Sequence, residues 1–208
     1  MHRFMQLFLV AVFALAAAGV CPPAPLADEN ASASIEQTFQ KAKQEYLDKN
    51  MTAAAEQIQK GAAYMKDQAS RASAKGKGAL SASARELDQL AVDVKKGAVT
   101  SQKKMEDAFA RAYLALANDA HVKSTESWAK KKRVEAAAAL ETANRNLEKS
   151  IAWTGGKIEK GTNDVVKKSD ALALKLKQKG DLLADDVSRG LQEAGNEIEK
   201  FGKKISPR

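Results

Sequence analysis

The stretch "LEKSIAWTGGKIEKG", residues 147–161, runs a helical pattern into two adjacent glycines, Gly155 and Gly156, and a similar pattern resumes beyond them. Whether the apolar stripe carries on in phase decides between one bundle and a bundle with a long surface-seeking arm. At 100° per residue, Leu140, Leu147, Ile151, Ile158, Val165, Leu172, Leu176, Leu183, Val187, Ala194, Ile198, Phe201 and Ile205 fall within about a third of the helical circle. The phase survives the glycines. Each weakens a helix by roughly 1 kcal/mol relative to alanine, enough for a hinge but not for a change of face.

Downstream, Val165, Leu176, Val187 and Ile198 stand eleven apart, as do Leu172, Leu183, Ala194 and Ile205. Eleven residues in three turns keep a stripe almost straight along a helix. In this period the segment resembles apolipoprotein and late-embryogenesis-abundant helices, a resemblance that implies an amphipathic helix suited to an apolar boundary or a helical assembly. Gly161, Gly180, Gly190, Gly195 and Gly202 lower its intrinsic helicity, so it folds on docking. Two placements follow: the stripe covers the preceding helices as part of one core, or it forms a detached membrane-binding arm. The first is preferred, and under it Leu176→Asp and Leu183→Asp should each destabilise the whole bundle.

Outward from this stretch, residues 28–206 contain no proline and abound in Ala, Lys, Glu, Gln and Leu, which favours helix throughout. The fold class is all-α, an elongated antiparallel helical bundle with a long amphipathic C-terminal helical segment. Ser34 with Gln37 forms a capping-box signature before Ile35, Phe39, Ala42 and Tyr46. "LDKNMT" supplies a turn and Thr52 a cap for Ala55, Ile58, Ala62, Met65 and Ala69. "AKGKGA", residues 74–79, reads as a loop before Leu80, Ala84, Leu87, Ala91 and Val94. Thr100 or Ser101 caps a fourth helix carrying Met105, Phe109, Ala112, Tyr113, Leu116 and Ala120 and extending through Trp128. Inward-facing alanines and short connections favour up-down packing.

A shift of 82 residues lays Tyr46 over Trp128, Ala54 and Ala55 over Ala136 and Ala137, Ile58 over Leu140, and Met65 over Leu147. Two related hairpins would produce this, and so would chance between Ala-rich helices. The hairpin "AKQEYLDKNMTAAAEQIQKGAAYM", residues 42–65, is similar to those of bacterial periplasmic helical proteins of the YfdX type. That resemblance implies a stress-linked, chaperone-like role.

Residues 1–27 read as a signal peptide: His2 and Arg3, the apolar run "FMQLFLVAVFALAAAGV", then "CPPAPLA" before the first acids. Cleavage is expected after Ala27, with Ala18 as the alternative; a lipoprotein reading of Cys21 fails on Val20. Residues 28–150 then form the helical bundle and 151–208 the amphipathic C-terminal segment packed on it. Export implies a periplasmic or secreted bacterial protein. Processing removes Cys21, the only cysteine, and His2, leaving His121 as the only histidine. No disulfide or thiolate metal site remains, and a triad or haem site through His121 and Met105 is disfavoured.

Lys130, Lys131, Lys132 and Arg133 form the densest basic run of a chain with net charge +8. It reads first as a solvated turn, with contact to anionic lipid or polysaccharide as the functional alternative. The mixed charge elsewhere and export together disfavour nucleic acid. Asp185 and Asp186 read as a solvated face. The expected function is therefore a non-enzymatic binding, scaffold or stress-protective role in the bacterial envelope, without cofactor or metal. Its partners would be a protein or envelope surface, an anionic membrane, or a second copy in a homo-oligomer. The alternative is a peripheral membrane binder acting through Ile158, Val165, Leu172, Leu176, Leu183, Val187, Ile198, Phe201 and Ile205.

Overall fold

With no proline in its interior, the chain is divided into helices by its turn residues alone. A computed structural model describes residues 26–156, 159–178 and 182–206, with side-chain environments from Ser34 onward. Among them lie seven helices and no strand: α1 Leu26–Leu47, α2 Met51–Ser70, α3 Ala74–Lys95, α4 Gln102–Ala129, α5 Arg133–Trp153, α6 Lys160–Lys177 and α7 Ala184–Ile205. Of the leader expected over residues 1–27, only Leu26 and Ala27 fall among the described residues, in the first turn of α1.

Helix α1 starts ahead of the Ser34 capping box, and the backbone carbonyl of Ser34 accepts from Thr38 Oγ1 at 2.9 Å inside a continuing helix. Asn50, not Thr52, is the N-cap of α2. The expected loop at 74–79 is already helix, because Ser73 caps α3 by accepting from Gly76 N at 3.1 Å. Gly76 is required there: a Cβ would lie 2.1 Å from Asp119 Oδ1 of α4.

Packing neighbours resolve the bundle into two closed rings. Contacts α1–α2, α2–α3, α3–α4 and α1–α4 close the first; α4–α5, α5–α6, α6–α7 and α4–α7 close the second. The 28-residue α4 is common to both. The first ring encloses Ile35, Phe39, Ile58, Met65, Leu80, Leu87, Val94, Met105, Phe109 and Tyr113. The second holds two patches, one around Leu140, Leu176, Val187 and Leu191 and one around Leu147, Ile151, Val166 and Ile198.

The two rings are copies of one arrangement at an offset of 82 residues. Under that shift α2 falls on α5, α3 on α6 and α4 on α7, while α1 falls within α4. Buried Ile58, Met65, Ala91, Val94, Met105, Phe109, Ala112 and Leu116 find buried counterparts in Leu140, Leu147, Ala173, Leu176, Val187, Leu191, Ala194 and Ile198. The turns agree atom for atom. Asn50 N donates to Glu45 O and Lys49 N to Tyr46 O; Lys132 N donates to Ser127 O and Lys131 N to Trp128 O. Both are Schellman closures, with Lys49 (φ 63°) and Lys131 (φ 58°) in the left-handed position that glycine usually fills. The two turns thus add matching backbone geometry to the matching helix order and burial sequence.

The second copy has a more polar interior. Phe39, Ala42, Ala62, Leu80 and Leu87 are replaced by His121, Ser124, Asn144, Thr162 and Ser169. Each polar group is satisfied: Ser124 Oγ donates to Ala136 O at 2.7 Å, Ser169 Oγ to Asn144 Oδ1 at 3.0 Å, Asn144 Nδ2 to Asp170 Oδ1 at 2.7 Å and Thr162 Oγ1 to Glu197 Oε1 at 2.5 Å. His121 takes the place of Phe39, its Nε2 2.8 Å from Leu191 O and its ring against Gly195, which stands where the first ring has Tyr113. Losing a buried leucine forgoes roughly 1.5–3 kcal/mol of apolar transfer, so the second ring gains less from burial than the first.

The C-terminal stripe is not one helix. Helix α5 ends at Trp153, and Gly155 adopts φ +67°, which turns the chain back. Leu183 is likewise the N-cap of α7 rather than a position within a continuous helix. Helices α6 and α7 pack on each other, with α6 against α5 and α7 against α4. The expected division at residue 150 falls inside α5, whose Ile151 and Trp153 are buried.

Candidate binding groove

Tyr113 and Trp153 are large rings with one polar atom each, and buried rings of this kind need a partner for it. Both find Glu36. Tyr113 Oη donates to Glu36 Oε2 at 2.5 Å, and Trp153 Nε1 donates to the same oxygen at 3.4 Å. Beneath them Phe39 stacks on Phe109 at 4.1 Å between centroids, and Trp153 stands edge-on to both. Helix α1 thus presents Glu36 one turn before Phe39 and Lys43 one turn after it, above an aromatic floor.

Two lysines complete the arrangement. Lys149 Nζ lies 4.0 Å from Glu36 and 5.3 Å from the Tyr113 ring centroid. Lys43 Nζ lies 2.8 Å from Glu106 and 5.8 Å from the Trp153 ring. Gln102 donates to Glu106 at 2.7 Å, and Gln40 to Glu36 at 2.9 Å. Between α1, α4 and α5 these groups line a groove of about 220 Å³, formed by Glu36, Gln40, Lys43, Glu106, Lys149, Ala152, Trp153 and Gly155.

Burial, and secondarily the hydrogen bond to Glu36, push the Tyr113 hydroxyl far above the usual phenol range, so it stays a donor. Burial lowers the Lys149 ammonium from its ordinary value, with Glu36 partly offsetting the effect. Burial raises the Glu106 carboxyl, but the hydrogen bonds from Lys43 and Gln102 outweigh it and leave the group below the ordinary glutamate value. The lining carries two carboxylates and two ammonium groups beside a single aromatic ring, that of Trp153, and no thiol, imidazole or aliphatic hydroxyl. A larger depression of about 360 Å³ between α2 and α3 is lined by Lys66, Ala69, Ser70, Lys77, Ser81, Ala84 and Arg85. It has no aromatic floor and no comparable network of buried polar groups.

The residues singled out in the sequence go elsewhere. Lys130 and Lys131 are exposed, Lys132 pairs with Glu135 at 2.9 Å, and Arg133 donates to Gln178 O at 2.8 Å and Lys175 O at 3.4 Å. The basic run is a turn of three lysines, and its arginine clips the end of α6. Of the stripe, Leu176, Val187 and Ile198 are buried, Val165, Leu172, Phe201 and Ile205 are half-buried, and Leu183 is exposed; Ile158 lies outside the described residues. Asp186 pairs with Arg189 beside Asp185 in the first turn of α7. Among the described residues no group of three or more His, Cys, Asp or Glu is placed to hold a metal ion. No helix among them is long and apolar enough to cross a membrane.

The sequence reading missed the groove. Its local signal is modest: Glu36 and Lys43 are seven apart on one face of α1, and Lys149 and Trp153 are four apart on α5. Only the tertiary fold brings those pairs together. No protein-family model matches the chain, and no curated protein or solved structure matches it either.

Proposed function

We propose that the chain is an exported, non-enzymatic helical-bundle protein of the bacterial envelope, acting in binding, scaffold or stress-protective roles, and that a segment of a partner protein docks in the α1–α4–α5 groove. The observation that carries this reading is the Glu36–Lys149 and Lys43–Glu106 set, which places both charge signs over the buried rings of Tyr113 and Trp153, with Trp153 reaching the groove lining. The leader-like residues 1–27 and the resemblance of the 42–65 hairpin support the envelope setting. Burial of Leu176, Val187 and Ile198 weighs against the alternative in which the whole 158–205 stripe is the binding surface.

The test is a client-protection assay with the purified chain and a thermally unfolding client protein, followed by light scattering. The wild type should delay aggregation. Lys43→Glu with Lys149→Glu should abolish the delay while leaving the far-ultraviolet circular dichroism intact. Equal protection by both proteins, or by neither, removes the groove from the account. Envelope fractionation with mass spectrometry should place the mature N-terminus between residues 19 and 31, and recovery of intact Met1 from a soluble envelope fraction would contradict export.

A further inference from the structure

The three most exposed large apolar side chains among the described residues are Leu183 at 72% and Leu174 and Val134 at 57%. They share one end of the second ring. Val134 begins α5, Leu174 lies in the last turn of α6, and Leu183 precedes α7; Arg133 ties the first two together through its bonds to the carbonyls of Lys175 and Gln178. Beneath them Trp128 and Leu182 are half-buried against the second-ring core. The groove lies at the far end of α5, whose 21 residues span about 30 Å.

The same end carries the lysine turn. Lys130, Lys131, Lys132 and Lys175 are all exposed, and among the described residues only Lys132 of these has an ion-pair partner, Glu135. Asp185 and Asp186 also stand here, in the first turn of α7, where a helix N-terminus favours acids. Isolated exposed leucines are ordinary on protein surfaces. Two leucines and a valine exposed on separate elements at a single end, beside exposed lysines and over a half-buried tryptophan, form an apolar patch rimmed with positive charge. The pairing of exposed apolar side chains with exposed ammonium groups matches the boundary between acyl chains and anionic headgroups.

We propose that this end docks on an anionic lipid bilayer, with Val134, Leu174 and Leu183 entering the headgroup–acyl boundary and Lys130, Lys131, Lys132 and Lys175 facing lipid phosphates. The contact is independent of the groove and leaves the second ring closed. It differs from binding through the 158–205 stripe, because Leu176, Val187 and Ile198 stay inside.

Sedimentation of the full chain with phosphatidylcholine vesicles, with and without phosphatidylglycerol, tests it. The wild type should bind only vesicles containing phosphatidylglycerol, less tightly as salt rises. Leu174→Ser with Leu183→Ser, and separately Lys130→Glu with Lys131→Glu, should each weaken binding by at least about tenfold. Their thermal melts should match the wild type, since all four side chains are exposed. Lys43→Glu with Lys149→Glu should bind vesicles as the wild type does, which separates this contact from the groove. In a Trp153→Phe background, Trp128 fluorescence should shift to the blue on binding. Absence of binding to either vesicle, or undiminished binding by both patch variants, would overturn the proposal.

Discussion

Replacing Leu176 by aspartate puts a carboxyl group where α5, α6 and α7 meet, at a side chain 1% exposed and packed with Leu140, Val187 and Leu191. Two terms set the magnitude. Truncating a buried leucine forfeits about 2–5 kcal/mol through lost transfer energy and a residual cavity. The new carboxyl avoids an unpaired buried charge by staying protonated, which at neutral pH costs about 4 kcal/mol, from 1.36 kcal/mol per unit over the roughly three units separating pH 7 from the ordinary aspartate value. The total, about 6–9 kcal/mol, rivals the roughly 5–15 kcal/mol that holds a typical domain folded. Leu183→Asp, at an open position, should cost no more than about 0.5 kcal/mol, so the sequence-based expectation that each change destabilises the whole bundle gives way to a sharp contrast. The two tryptophans make the assay specific. Trp128 packs against the second-ring core, whereas the side chain of Trp153, carried by α5, is buried in the first-ring core, so urea titrations of Trp153→Phe and Trp128→Phe backgrounds report one core each. Leu176→Asp should unfold the Trp128 environment at markedly lower urea. An unmoved Trp128 transition would refute the burial argument.

Three further outcomes follow from particular contacts. Gly195→Ala should destabilise the chain by about 1–3 kcal/mol, because a Cβ there would lie 2.6 Å from His121 Cε1; calorimetry with and without a compensating His121→Ala change checks it. Lys131→Gly should stabilise by about 1 kcal/mol by relieving the left-handed backbone at φ 58°, read as a raised melting temperature. Glu106 has a folded pKa below its ordinary value of 4.5, so its contribution to stability is present above that value and is lost as pH falls through the folded pKa. Glu106→Gln should therefore flatten the acid limb of the melting-temperature profile below pH 4.5.

Helix content and most stripe residues were legible because alanine-rich, proline-free sequence leaves few alternatives and because burial follows the 3.6-residue period. The turn at Gly155 was not. Phase on a helical wheel is blind to reversal: two antiparallel helices whose apolar faces point into one core can share a phase by arithmetic, and the eleven-residue spacing from Leu172 to Leu183 runs past the end of α6 at Lys177. "AKGKGA" misled for the opposite reason. Its glycines suggested a loop, yet Gly76 is a helical residue kept small by Asp119 of a distant helix. The 82-residue similarity was visible in the sequence, and the structure adds the same helix order and the same hydrogen bonds at the turns of Lys49 and Lys131. Glu36, Lys43, Glu106 and Lys149 carry no local motif, since their relation exists only across α1, α4 and α5.

The closed second ring, in which α7 returns to α4 and puts a histidine over a glycine, is the claim on which the rest depends. A nuclear Overhauser measurement between the His121 imidazole Hε1 and the Gly195 α protons in the full chain tests it most directly, because the ring and that glycine are in contact only if α7 is seated. A strong cross-peak, lost in Leu176→Asp, is the predicted result. No cross-peak in the wild type, together with narrow, mobile resonances from residues 184–205, would contradict the closed ring and return the C-terminal segment to a detached arm.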